Sequence, residues 1–320
     1  MKNSINSVKG TEHNKTVIYI AFGYEYLLMA LNSAQGLMRH NPEVSTIVAS
    51  NVDPAWMPGL KDYMCSVSYQ YYNEEKTANR KYKLSVNKLT EADKVIYLDC
   101  DTEITGSLEP IWHALNGADL MALPLLTPPD IDTLPEEINS SIKVSYYNGG
   151  FVAFRNNESV GRFFLDWLNN YERIGIAADQ PTLAYTLNHS DLKFKPITIW
   201  FNYLYSKKYK SILKQSELSR VVVHHYLHPH FAPNVPPRLL AIHENIKKSL
   251  DKKCPDWFRE EVDIFEPTYR YRSVTLKVPD KLKFYPLLRL LNSIVKSYYE
   301  KRYGGGKKLS RKKERTKLGQ

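Results

Sequence analysis

The sequence predicts an α/β fold, a sheet of short buried strands covered by helices, and three observations carry that prediction. Short apolar runs recur through the first third of the chain, at Val17–Phe22, Thr46–Ser50 and Lys94–Leu98. Segments whose apolar residues repeat with a helical period lie between them and after them. The two kinds of segment alternate, as a helix-covered sheet requires, instead of falling into separate blocks.

Val17–Phe22 (VIYIAF) reads as a short buried strand. Tyr26 to Arg39 follows as a helix, because Leu27, Ala30, Leu31, Ala34 and Leu37 share one face. Thr46–Ser50 and Ser66–Tyr71 are the second and third strands, and Thr77 to Leu89 reads as helical. Lys94–Leu98 (KVIYL) is a fourth strand that ends at Asp99-Cys100-Asp101. Thr127 to Ser140, rich in proline, acids and serine, reads as a long surface loop. Gly150–Phe154 is a further strand, and Val160–Tyr171 a helix with Val160, Phe164, Trp167 and Tyr171 inward. Ala178–Leu187 is a short helix, and Val221–Val223 a last strand that runs into His224-His225.

Residues 231–280 contain prolines and read as an irregular extension packed on what precedes them. An amphipathic helix is expected within 281–303, from about Tyr285 to Tyr299, with Leu287, Leu288, Leu291, Val295 and Tyr298 on one side. Residues 304–320, opened by Gly304-Gly305-Gly306, have the composition of a disordered basic tail.

The net charge of +10 is unevenly spread. Thirteen Lys or Arg against two acids lie between Lys281 and Gln320, so the rest of the chain is close to neutral. A nucleic-acid-binding protein needs its positive charge on a folded face, and this chain keeps it in the tail, so no nucleic-acid partner is expected. The three cysteines, Cys65, Cys100 and Cys254, match neither a disulfide framework nor zinc-ligand spacing, and suit a reducing compartment. Met1 to Lys15 is polar, and nowhere do eighteen apolar residues occur together. The expectation is a cytoplasmic protein with no export signal. Its C-terminal segment, residues 281–320, is suited to lie on an anionic membrane surface at the inner face.

The chemistry concentrates at Asp99 and Asp101. Both stand at the carboxyl end of a strand, the edge at which open α/β sheets bind ligands. Two carboxylates one residue apart can turn toward one hard cation, Mg²⁺ or Mn²⁺, whose remaining ligands come from substrate phosphates. Taken alone a D-x-D is a weak signal, common in ordinary loops.

The stretch Lys83 to Thr102, KLSVNKLTEADKVIYLDCDT, resembles the helix, strand and D-x-D of the family-eight glycosyltransferases, the group containing glycogenin and bacterial lipopolysaccharide galactosyltransferases. Three more segments match that family in order: Tyr147-Asn148-Gly149-Gly150-Phe151, Asp179-Gln180 and the His224-His225 region. The resemblance implies a Rossmann-like GT-A nucleotide-diphospho-sugar transferase fold over residues 16–230, a mixed sheet with helices on both faces followed by a helical C-terminal extension. It implies a Mn²⁺ (or Mg²⁺) cofactor held by Asp99, Asp101 and a histidine. His225 fits the family's hydrophobic–His–aromatic context, with His224 as the alternative, since adjacent strand residues face opposite ways. It further implies donor contacts at Ala21, Phe22, Gly23, Tyr26, Arg80, Lys83, Asp99, Cys100, Asp101, Asn148 and Gly149. Asp179 and Gln180 are the implied catalytic residues beside the transferred sugar.

The implied reaction moves a hexose, from UDP-glucose or UDP-galactose, to a hydroxyl of a glycan or glycolipid acceptor with retention. Without the resemblance, Lys83 reads as a solvated helix charge, Asp179 as a helix N-cap and Asn148-Gly149 as a turn. One departure stands out: His228-Pro229-His230-Phe231 replaces the family's loop bearing a phosphate-gripping lysine, leaving His228 or His230 as candidates for that role. A sugar-nucleotide nucleotidyltransferase would need a glycine-rich basic loop after the first strand, and Gly23-Tyr24-Glu25-Tyr26 is not one. An inactive nucleotide-sugar-binding relative is the other alternative, opposed by the intact Asp99 and Asp101.

Overall fold

The structure is a computed structural model that describes residues 14–125, 134–175, 178–205, 212–213, 215–226 and 237–265. In chain order the strands are β1 (Lys15–Ile20), β2 (Ser45–Ser50), β3 (Ser68–Tyr71), β4 (Lys94–Leu98), β5 (Thr102–Ile104), β6 (Leu120–Pro124), β7 (Tyr147–Arg155), β8 (Phe194–Pro196), β9 (Tyr203–Leu204) and β10 (Val223–His225). The helices are α1 (Tyr24–His40), α2 (Lys61–Met64), α3 (Asn79–Lys83), α4 (Glu109–Ala114), α5 (Glu136–Val144), α6 (Glu158–Ile174), α7 (Gln180–Asn188), α8 (Pro237–Ser249) and α9 (Asp256–Ile264).

Seven strands form one mixed sheet in the order β3-β2-β1-β4-β7-β6-β8. The first four are parallel, β7 runs antiparallel between β4 and β6, and β8 lies parallel to β6. Both faces are covered, which is why the inner strands read as continuous apolar runs. Val17, Tyr19 and Ala21 enter the core under α1, while Ile18, Ile20 and Phe22 enter the core under α6 and α7. The inner faces expected for α1 and α6 are buried: Leu27, Ala30, Leu31, Ala34 and Leu37 on one side of the sheet, Val160, Phe164 and Trp167 on the other.

Three expectations need correction. The helix expected over Thr77 to Leu89 is broken into a 3-10 turn, the short α3 and a second turn at Val86–Lys88. Leu84 and Val86 are both buried in the same core, and on a continuous helix residues two apart would point roughly 200° away from each other. The loop expected at Thr127 to Ser140 gives way to α5 in its described part, with Ile138 and Ile142 buried one turn apart. The 231–280 region holds α8 and α9 rather than irregular chain, with Ile242, Ile246, Phe258 and Val262 joining the core under α1. The helix and tail expected over 281–320 lie outside the described residues, as do His228 and His230.

A small second sheet, in the order β5-β10-β9, positions the site. β5 begins one residue after Asp101, and its antiparallel pairing with β10 sets Thr102 opposite His225.

Candidate active site

The loop between β4 and β5 is held from both sides by backbone hydrogen bonds. Asp99 N–H donates to the Gly150 carbonyl at 2.8 Å, and Tyr226 N–H to the Asp101 carbonyl at 2.9 Å. One carboxylate oxygen from each of Asp99 and Asp101 and one ring nitrogen of His225 lie within 4.8 Å of one another. His225 Nε2 is 3.3 Å from Asp101 Oδ1 and 3.8 Å from Asp99 Oδ2. Pairing with β5 turns His225 inward, whereas His224 points away, with Nδ1 2.9 Å from the Tyr205 hydroxyl.

A chain of amides orients the imidazole. Gly150 N–H donates to Asn148 Oδ1 at 2.9 Å, and a backbone N–H can only donate, so that atom is the carbonyl oxygen. Asn202 Nδ2 donates to the same oxygen at 2.9 Å, which leaves Asn202 Oδ1 to accept from His225 Nδ1 at 3.0 Å. The Nε2 lone pair is thereby directed at the two carboxylates, the arrangement by which outer partners orient a metal-binding histidine. Asn148 lies in this supporting layer through its oxygen. Asn202, fully buried, is absent from the sequence expectations because Phe201-Asn202-Tyr203 carries no motif.

The donor set fits a divalent cation. Two carboxylates and an imidazole suit Mn²⁺, and a Cβ at Gly150 would collide with the His225 ring and come within 2.6 Å of Asp99 Oδ2, so the glycine keeps that space open. Burial lowers the His225 pKa, but Asp101 and then Asp99 outweigh it and raise the group above its ordinary value near 6.5. Burial likewise opposes ionisation of Asp101, and His225 reverses that and lowers its pKa. A cation takes the neutral imidazole, so affinity should climb as pH rises through the raised imidazole pKa and fall below it. Calorimetric Mn²⁺ titrations across pH should show this slope, and Asn202→Ala should lose about ten- to a hundredfold in affinity. A flat pH profile together with an unchanged Asn202→Ala affinity would sink the assignment.

A second charged cluster adjoins the first. Lys83, at the end of α3, is only 4% exposed; its Nζ lies 2.8 Å from Asp179 Oδ2 and 3.3 Å from Asp99 Oδ1. Arg80 reaches Asp179 Oδ1 at 2.7 Å. Burial works against the Lys83 charge, yet Asp179 and Asp99 more than offset it and raise its pKa. Asp179 stands at the N-cap position of α7 but makes no capping side-chain hydrogen bond, because its carboxylate serves Arg80 and Lys83 instead. The Tyr97 hydroxyl donates to Asp99 Oδ1 at 2.6 Å, which ties the clusters together. Gly149 overlies this group: a Cβ there would sit 3.3 Å from Asp179 Oδ2, 3.4 Å from Lys83 Nζ and 3.5 Å from Gln180 Cγ. Gln180 Oε1 is buried with no hydrogen-bond partner among the described residues.

The expected donor residues at the end of β1 divide. Ala21 and Phe22 are fully buried, with side chains in opposite cores, so only their backbone is available to a ligand. Cys100 is also turned inward, its thiol donating to the Ile20 carbonyl at 3.2 Å. Gly23, at φ +93°, is buried beneath Lys76, and Tyr26 is the exposed residue at this end.

Residues 17–230 match the family described as glycosyl transferase family 8. The chain belongs to this family. The protein is a glycosyltransferase, and its fold is of the GT-A type. Crystal structures of LgtC share that fold. An active-site mutant superposes with a TM-score of 0.53 at 16% identity, over 77% of this chain and 99% of LgtC. The galactosyltransferase LgtC in complex with donor and acceptor sugar analogues gives 0.52 at 16%, with the same coverage. The bifunctional glycosyltransferase WbbM gives 0.53 at 15%, over 81% of this chain and 53% of WbbM. No curated protein matches at the level of sequence. The family match ends before α8 and α9, so the helices that pack beside Gly23 and Tyr24 lie outside it. No helix among the described residues is long and apolar enough to cross a membrane.

Proposed function

We propose that this family 8 glycosyltransferase moves a hexose from a UDP-sugar, UDP-glucose or UDP-galactose, to a hydroxyl of a glycan or glycolipid, with retention. The observation that carries the proposal is the convergence of Asp99, Asp101 and His225 at the carboxyl end of β4, with Lys83, Asp179 and Gln180 alongside. Asp99, Asp101 and His225 hold Mn²⁺, which when bound neutralises charge on the departing diphosphate.

The acceptor oxygen forms a bond to the anomeric carbon as the bond to the diphosphate oxygen breaks, and the acceptor hydroxyl's proton leaves on the departing diphosphate. Lys83 lies between Asp99 and Asp179 and adds positive charge where the leaving group meets the sugar. Asp179 and Gln180 are the catalytic pair at the sugar. Asp179 is held in place by Arg80, and the buried Gln180 oxygen, which has no hydrogen-bond partner among the described residues, is the atom that would turn to a sugar hydroxyl. Gly149 allows the sugar to approach that floor. Gly23 and Tyr26 face the nucleoside.

A nucleotide-sugar hydrolysis screen with Mn²⁺ tests this reading. The wild type should release UDP from one of the two donors. Asp101→Ala should lower the rate by about a thousandfold, near 4 kcal/mol of barrier. Equal rates in the two proteins, or no manganese dependence, would remove the proposal.

A peripheral membrane contact through residues 281–320 belongs to the same reading, on the strength of the basic charge there. The full chain should sediment with anionic vesicles and not with neutral ones, and lose that binding without 281–320. Equal sedimentation of the two forms would end this part of the proposal.

A further inference from the structure

Along the carboxyl edge of the main sheet the groups described so far follow the strand order. Gly149 lies in β7 with Asp179 and Gln180 against it, Asp99 and Asp101 follow β4, and Gly23 and Tyr26 follow β1. Neighbouring strands are about 4.8 Å apart, so a donor with its sugar near β7 and its diphosphate at β4 extends its nucleoside over β1 toward β2. At that end lies a cleft of about 550 Å³, lined among others by Asn51, Trp56, Tyr71, Lys76, Trp257 and Glu261. Trp257 and Glu261 belong to α9, beyond the family match.

Glu261 is fixed by the backbone it serves. Its Oε2 accepts from Tyr24 N–H, in the first turn of α1, at 2.8 Å. Its Oε1 accepts from Lys76 Nζ at 2.8 Å. Lys76 in turn lies across Gly23, where a Cβ would come within 2.6 Å of Lys76 Cε, and its Nζ sits 5.7 Å from the centre of the Tyr26 ring. Asn51 closes the other side by accepting from Gly23 N–H at 2.8 Å. The half-exposed Lys76–Glu261 ion pair is worth little as a stabilising contact in water. What it does achieve is a fixed ammonium donor next to a carboxylate acceptor, at the mouth of an aromatic-walled cleft. Trp56 and Trp257 form that wall, edge to face at 5.7 Å, and Trp257 is 42% exposed.

We propose that α9 completes the nucleoside end of the donor site, and that Lys76, held by Glu261, selects the base. The inference rests on the donor reading above. An ammonium donates to an exocyclic carbonyl and not to an amino group, and the carboxylate accepts from a ring N–H beside that carbonyl. Set with Lys76 against the exocyclic group, the pair suits an oxo-base such as uracil or guanine; in the opposite register it would suit adenine, whose N1 accepts beside a donating amino group, so a preference for ADP would overturn the inference. Failing to satisfy such groups discriminates more strongly than apolar fit does.

Calorimetry on the full chain with Mn²⁺, using UDP, ADP and inorganic pyrophosphate as probes, tests this. The wild type should bind UDP more tightly than ADP. Lys76→Met and Glu261→Gln should each weaken UDP by about tenfold, remove the preference over ADP, and leave pyrophosphate unchanged. Parallel weakening of UDP and pyrophosphate would mean that Lys76 grips phosphate, and unchanged UDP binding would mean that it lies outside the site. Either result overturns the inference and leaves the glycosyl-transfer reading standing. A wild type that binds neither UDP nor pyrophosphate would overturn both.

Discussion

Gly150→Ala is expected to abolish divalent-cation binding and, with it, transfer activity. The added methyl has no free volume: it would overlap the His225 ring and approach Asp99 Oδ2 to 2.6 Å. Neither neighbour can yield cheaply. His225 is fixed by Asn202 and by the β5–β10 pairing, and Asp99 is fixed by the Gly150 carbonyl and Tyr97. Overpacking a tight interior typically destabilises by about 1–3 kcal/mol, so a fall in melting temperature of several degrees should accompany the loss. Gly117→Ala is the control, because a Cβ there meets nothing within 4 Å. Thermal melts with and without Mn²⁺ provide the check: the wild type and Gly117→Ala should be stabilised by the ion, and Gly150→Ala should not. A Gly150→Ala protein that still gains stability from Mn²⁺ would refute the geometry.

Lys83→Met should produce the largest loss of stability among single changes at the site. Its ammonium lies beside Asp179 and Asp99, with the Lys83 and Asp179 side chains 5% and 3% exposed. Removing one member of a buried pair leaves the other charge without adequate compensation, at a cost of about 3–5 kcal/mol. Arg80→Met, which removes the more exposed partner of the same carboxylate, should lose less. A Lys83→Met, Asp179→Leu double variant should recover most of the stability while remaining inactive, because the buried charge is gone along with its partner. Urea denaturation of the four proteins decides. If Lys83→Met unfolds at the wild-type midpoint, the ion pair has no structural weight.

Much of the fold was readable because periodicity is a local property. The apolar runs of β1, β2 and β4 and the inward faces of α1 and α6 are written in consecutive residues. The paired acids at the end of β4 were readable for a related reason, since two carboxylates at a strand end form a motif within three positions. Lys83 and Asp179 were legible only through resemblance: on residue type alone, a lysine before a leucine and an aspartate before a helix have ordinary uses. The helices α5, α8 and α9 were missed because their described faces bury few residues, such as Phe258 and Val262 in α9, a pattern too short to distinguish from loop.

Local sequence specified the α/β character, the strand that presents the acids and the segments that face the core. It could not choose between His224 and His225, since both sit on one strand and only the register against β5 decides which turns inward. Nor could it reveal Asn202 or Glu261, whose roles depend on neighbours far away in the chain: His225 and Asn148 for one, Tyr24 and Lys76 for the other. Local patterns encode which side of an element is apolar. Which polar atoms meet across elements is settled by strand register and helix docking, and those are properties of the packed whole.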